Sequence, residues 1–120
     1  MPRYADGFVL PVPKKNLKAY AAMAKKAGKI WKEHGALEYC ECVGEDIAGV
    51  KFGLPFNKLM KLKPGEVAVF SWIVYKSRAQ RDKINAKVMK DPRLSPDMVG
   101  DMPFDMKRMA YGGFEILVDL

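Results

Sequence analysis

The chain has only two cysteines and one histidine in 120 residues. That scarcity excludes a disulfide scaffold and a histidine-rich metal centre. Cys40 and Cys42 stand two apart, so on a strand they share a face. A bridge between such close neighbours would be strained and easily reduced. With His34 they still fall short of the four ligands of a structural zinc site, so no metal is expected. No apolar run approaches the roughly 20 residues of a membrane helix. The opening residues carry Asp6 and Gly7 where a secretory signal would need a continuous apolar stretch. A cytoplasmic protein with reduced thiols is therefore expected. Glycine-rich phosphate loops and nucleophile-elbow serines are also missing. Gly112-Gly113 lacks the following helix that a nucleotide motif requires. The residues imply no cofactor.

What is present suits one domain spanning 1–120. Hydrophobic residues make up 49% of the chain, enough for a core, and 29% are charged. The formal net charge of +7 raises nucleic-acid binding as a third reading. Lys18, Lys25, Lys29 and Lys32 form one stripe opposite the apolar side of a helix, and Lys58, Lys61 and Lys63 lie in a loop. Aromatic residues are not interleaved with them as base stacking would require, so the stripe reads as a solvated face.

Hydrophobic periodicity divides the chain into alternating elements. Residues 4–11 alternate as a strand that Pro11 and Pro13 should end. Asn16 is placed to cap a helix over 17–33, whose Tyr20, Met23, Ala24, Ala27, Ile30 and Trp31 share one face. Gly35 is a natural stop. Residues 37–44 form a second strand, with Leu37, Tyr39, Glu41 and Val43 on one side. From 45 to 66 the pattern breaks. Phe52, Leu54, Phe56, Leu59 and Met60 suggest a packed-down loop with one helical turn after Pro55. Residues 67–75 read as a central strand. Ser77 caps a helix over 78–90, which Asp91-Pro92 ends. A loop covers 92–106. In this part of the chain Met89, Met98, Met102, Met106 and Met109 offer adaptable packing. A last strand is expected over 107–119.

The order β-α-β, long loop, β-α-β is the ferredoxin-like arrangement, an α+β fold with a four-stranded antiparallel sheet and helices on one face. Its other sheet face would present aromatic and branched side chains to water. Pairing two sheets face to face in a homodimer would cover it.

The second helix carries the sharpest chemical signal. With Arg81 at zero, Val88 lies at about −20°, Asn85 at about +40°, Ile84 at about −60° and Arg78 at about +60° around the axis. Polar groups thus sit on the stripe that faces the sheet, where they cost free energy unless satisfied. Asp6, Glu41 and Glu115 are possible partners. Either an internal charge network satisfies them, or they form a pocket for an anion with an arginine as clamp. His34, beside Trp31, is the one candidate acid/base near neutral pH, or simply a helix-end residue facing the dipole.

Four stretches resemble one family closely. They are Tyr4 to Pro13, Val69 to Arg78, Asn85 to Arg93 and Met102 to Glu115. Together they are similar to the DUF1428 family over nearly the whole chain. The resemblance implies a dimeric α+β barrel of ferredoxin-like subunits, and it implies no activity. The wider superfamily includes cofactor-free monooxygenases, haem-degrading enzymes, muconolactone isomerase-like proteins and amino-acid-sensing domains. In several, a small organic ligand sits between helices and sheet. The Asn, Trp and His triad of the haem-degrading members finds no match here.

The resulting expectation is a small-molecule-binding protein, with or without cofactor-independent catalysis. Arg78, Arg81 and Asn85 would orient an anionic or carbonyl group, and Trp31, Tyr39, Trp72 and Tyr111 would line the walls. His34 would be the catalytic candidate. The competing class is a non-enzymatic dimeric module whose polar groups are structural.

Overall fold

The computed structural model describes residues 1–94 and 102–120. Four strands are ordered β2-β3-β1-β4, all antiparallel. They are β1 (Tyr4–Pro13), β2 (Glu38–Val43), β3 (Glu66–Tyr75) and β4 (Ala110–Glu115), with helices α1 (Leu17–Glu33), α2 (Phe56–Leu59) and α3 (Arg78–Met89) between them. The element order is that of a ferredoxin-like subunit. Extents of 38 × 38 × 20 Å describe a slab two layers thick.

Register decides which side chains face the helices. Tyr4 pairs with Tyr75, Asp6 with Ile73, Phe8 with Ser71 and Leu10 with Val69. Side chains alternate along a strand, so these share the helix-covered face with Tyr39 and Glu41 of β2, which oppose Ile73 and Ser71. One buried cluster gathers Tyr4, Ile73 and Tyr75 against Ile30 of α1 and Ile84 and Val88 of α3. A second gathers Leu10, Val12 and Val69 against Tyr20 and Ala24 of α1. α1 therefore spans both clusters, while α3 caps only the first.

Several element ends differ from expectation. β1 runs on through Pro11 to Pro13. β4 stops opposite Val9, so beyond that point β1 has a partner on one side only, where proline is tolerated. Asn16 occupies the N-cap position of α1, but its side chain does not cap; its amide donates to the Pro103 carbonyl at 3.2 Å. Ser77 does cap α3, accepting from the Gln80 N–H. The last strand starts only at Ala110, because Asp105 caps a 3₁₀ turn over Met106–Arg108. The helical turn after Pro55 forms, yet the loop around it is not packed down. Phe52 is 91% exposed, and of the five apolar residues only Met60 is buried. Met98 lies outside the described residues.

α1 and α3 both lie on the face that carries Tyr39 and Glu41; among the described helices only the short α2 meets the other face, through Phe56 against Phe70. The central floor of this other face is small: Ala5, Gly7 and Val9 on β1, with Ala110 and Gly112 opposite Val9 and Gly7. Larger rings stand around that floor. Phe70 and Phe114 are exposed, and the Phe70 ring stacks obliquely on Trp72 and on Phe56. Cys40 and Cys42 lie on this face as free thiols.

Candidate functional site

Two polar clusters lie between helices and sheet, one at each end of α1. The first is centred on Arg81. Its guanidinium sits 4.8 Å from the centre of the Tyr4 ring. Nη2 donates to the Tyr4 hydroxyl at 3.1 Å. Nε is 3.8 Å from Asp6 and 3.3 Å from Asp82. Burial opposes the charged guanidinium, but Asp6 and the Tyr4 hydroxyl outweigh it and raise the Arg81 pKa above its ordinary value. Of the three acids considered as partners, Asp6 is the one that faces Arg81. Room for this arrangement comes from Gly113 on β4. A Cβ there would collide with the Tyr4 hydroxyl and come within 2.9 Å of Arg81 Nη2.

Asn85 belongs to the same cluster. Its carbonyl accepts from the Trp31 indole at 3.2 Å and from the Tyr75 hydroxyl at 3.1 Å. Tyr75 is fully buried, and burial with the nearby Asp6 charge pushes its phenol well above the ordinary range. Arg81 and Asn85 are thus engaged by protein groups on the inward side of α3, with the buried Arg81 Nε alone left without a hydrogen-bond partner. Arg78 is exposed and stands at the start of that helix, beside Ser77 and Glu115 in a separate surface hollow.

The second cluster is centred on Glu41 of β2. Tyr20 donates to one carboxylate oxygen at 2.7 Å, and Tyr39 donates to the other at 2.9 Å. Burial raises both phenol pKa values far above the ordinary range, and the Glu41 charge raises them further. Gly28 of α1 makes room for this triad. A Cβ at Gly28 would lie 2.6 Å from the Tyr39 ring.

All three polar side chains of this cluster border empty space beside the helices, which the first cluster reaches through Trp31 alone. A cavity of about 330 Å³ lies between the helices and the sheet, within the range of small-molecule sites. Phe8, Leu10, Met23, Ala27 and Trp31 form apolar walls, with Met102, Phe104 and Met109 from the segment before β4. Glu41, Tyr20, Tyr39 and Ser71 are the polar groups at its edge. Tyr20, Ala24, Tyr39 and Glu41 also border a wide outer groove between α1 and β2, which Lys18, Lys25, Lys29 and Lys32 flank. The tyrosine–glutamate triad therefore stands between groove and cavity.

Among the residues singled out from sequence, Trp31, Tyr39 and Trp72 border this cavity. Trp72 borders it from its place in β3, while register with Gly7 and Cys40 turns its side chain to the opposite sheet face, where the indole donates to Glu38 at 2.8 Å. Tyr111 is 73% exposed on β4 and meets the cavity only through Phe8, on which it stacks. His34 closes α1, with Nε2 2.9 Å from Asp91. Asp91 is also held by Arg93, and these partners draw its pKa well below the usual carboxylate range. His34 does not border the cavity.

Glu41 and Tyr20 were not singled out as site residues. Glu41 sits at an inward position of the β2 alternation, two residues from Tyr39. An acid there with no basic residue in register is the signal that was available. Among the described residues, no cluster of three or more potential metal ligands occurs, and no helix is long and apolar enough to cross a membrane.

Comparison with known proteins agrees with this architecture. A family model described as "Protein of unknown function (DUF1428)" matches residues 3–106. The uncharacterised protein YbaA of Escherichia coli K12 is 45% identical over 117 residues, covering 98% of both chains. YbaA of Shigella flexneri is similar to the same extent. Among solved structures, a dimeric ferredoxin-like protein from an uncultured marine organism superposes with a TM-score of 0.66 over the full length of both chains, at 11% identity.

Proposed function

The chain belongs to the DUF1428 family, and we propose that it works as a homodimer that binds a small, largely apolar organic molecule in the helix–sheet cavity. The observation that carries the binding half is the cavity itself. An apolar hollow with a few convergent polar groups at one edge has the anatomy of a ligand site. The network around Arg81 and Asn85 is by contrast closed on protein groups except at the buried Arg81 Nε, which makes ion pairs but no hydrogen bond. It also stands off the cavity, which favours the Glu41 end over the second helix as the ligand-orienting region. That closure also supports the second reading, a dimeric module whose inward polar groups are structural.

The homodimer half rests on the open sheet face. Phe70, Trp72 and Phe114 around a floor of small residues form a contiguous apolar surface of the kind that marks a partner site. The ferredoxin-like neighbour is described as dimeric, which supports the same assembly here. An isologous contact would bring two such faces together.

Both halves are testable on the purified protein. Light scattering should give twice the mass of the chain, and Phe114→Asp should give a monomer. A thermal-shift screen of small aromatic and aliphatic molecules should yield ligands that raise the melting temperature by mass action. Ala27→Phe, which fills the cavity from α1, should abolish those shifts. A screen without hits, on a dimer that Phe114→Asp dissociates, would leave the structural module standing.

A further inference from the structure

We propose that the molecule held in the cavity carries a protonated amine, which docks against the Glu41 carboxylate while its apolar body lies among Met23, Met102 and Phe104. This rests on the cavity-binding reading and adds the chemistry of the head group.

Three observations carry it. First, Glu41 reaches the cavity edge with acceptor capacity to spare. Each of its oxygens takes one phenol donor, from Tyr20 and from Tyr39, whereas a carboxylate offers about four acceptor sites. Both phenols are donors already used on Glu41, so neither readily serves an anionic head group. Second, no lysine, arginine or histidine is among the described residues that border the cavity. A carboxylate-bearing ligand would meet like charge there with no compensating cation, whereas an ammonium would meet its counter-charge. Third, the wall beside Glu41 is aromatic. The Trp31 and Tyr39 rings lie 6.3 Å apart, and aromatic faces attract cations that have been removed from water. Arg81 cannot reverse this preference, because it is held on Tyr4 and Asp6 in the other cluster.

The arrangement also accounts for the split between outside and inside. The outer groove carries the lysines together with Glu33 and Glu38, and Glu41 borders both groove and cavity, where it is the charged residue among the described lining. A strongly basic chain thus contains an inner hollow whose polar edge is acidic.

The experiment uses four probes that share one body and differ in head group: 2-phenylethylamine, 2-phenylethanol, phenylacetate and ethylbenzene. Binding is measured by calorimetry and by thermal shift on the wild type, on Glu41→Gln and on Tyr20→Phe. The expected result is that 2-phenylethylamine binds at least tenfold more tightly than phenylacetate, and that Glu41→Gln removes that preference. Should Glu41→Gln fail to fold, Tyr20→Phe decides. It frees an acceptor position on Glu41, so amine affinity should hold or rise; a fall would overturn the proposal. Equal binding of all four probes, or tightest binding of phenylacetate, overturns the amine assignment while the cavity reading stands. Absence of binding by any probe, ethylbenzene included, removes the cavity reading and this inference with it.

Discussion

The two polar clusters beneath the sheet use the same ingredients and end differently. Around Arg81, a charge, a carboxylate, two phenols, an amide and an indole close upon one another, and Ile84 and Val88 fill the space beside them. Around Glu41, a carboxylate and two phenols close upon one another beside a hollow. Inward-facing polarity is therefore no guide to function by itself. What separates the clusters is how they meet the cavity: Arg81, Asn85, Tyr4, Tyr75 and Asp6 stand off it behind Trp31 and Val88, whereas Tyr20, Tyr39 and Glu41 border it directly. α3 ends at the cavity with Val88 and Met89, and the region beyond is left to Met102, Met106, Met109 and Phe104.

The sharpest way to break this comparison is to remove Arg81. Arg81→Ala would leave Asp6, itself buried, without its cation. A loss of about 3 kcal/mol in urea unfolding is expected from stranding a buried charge. Adding Asp6→Asn should recover part of it, since residues in one network couple. A loss below about 1 kcal/mol would mean that the closed cluster is not structural.

Gly28→Ala tests the open cluster through packing. Its new Cβ would press on the Tyr39 ring, with an expected cost of about 2 kcal/mol from overpacking. Displacing Tyr39 should also reduce any ligand-induced thermal shift. Gly113→Ala should disturb stability without touching ligand response, because it presses on the other cluster.

Replacing Glu41 with Gln keeps an acceptor for one phenol and removes the charge. About 1 kcal/mol is expected, the difference between charged and neutral hydrogen bonds. Equal losses for Glu41→Gln and Arg81→Ala would erase the distinction between the two regions.

The smallest effect is a dependence on pH at the far end of α1. Asp91 has its pKa lowered, first by Arg93 and then by His34. A depressed carboxylate stabilises the fold above its unfolded value of about 3.9 and loses that contribution as pH falls through the folded value. Asp91→Asn should therefore be less stable than wild type at neutral pH. The gap should close as melts are recorded at progressively more acidic pH below about 4. A gap that stays constant down to acid would show that the Asp91 contacts add no pH-linked stability.

Much of this architecture was legible in the residues. Alternation in 4–11, 37–44 and 67–75, the 3.6-residue stripe of α1 and the Ser77 cap are local signals, and local signals gave the strand and helix order. The placement of Arg81 and Asn85 on the inward side of α3 followed from the same period. Their partners did not, because Tyr4 and Asp6 are brought beneath α3 only by the pairing of β1 with β3 and β4. Trp72 shows the limit most plainly. An indole on a central strand belongs to one face or the other by register, and a single step of register exchanges them. Asn16 holds the N-cap position as expected, but its side chain does not cap, because the Pro103 carbonyl that takes its amide is 87 residues away and no local signal reveals it. A helix–sheet cavity was expected from the family resemblance, but its extent and its Glu41 edge were not legible in the residues, since vacant volume is a property of how elements meet.

The two glycines that make room for aromatic rings have a consequence for inheritance. Gly28 with Tyr39, and Gly113 with Tyr4, each behave as one character written at two places in the gene. A larger residue at either glycine arrives in a lineage with its ring already in the way, and a smaller ring arriving first leaves a void. Descendants of this chain should therefore keep both members of a pair or exchange both, and a lineage that has exchanged the Gly28 pair will have redrawn the wall of the cavity in the same event.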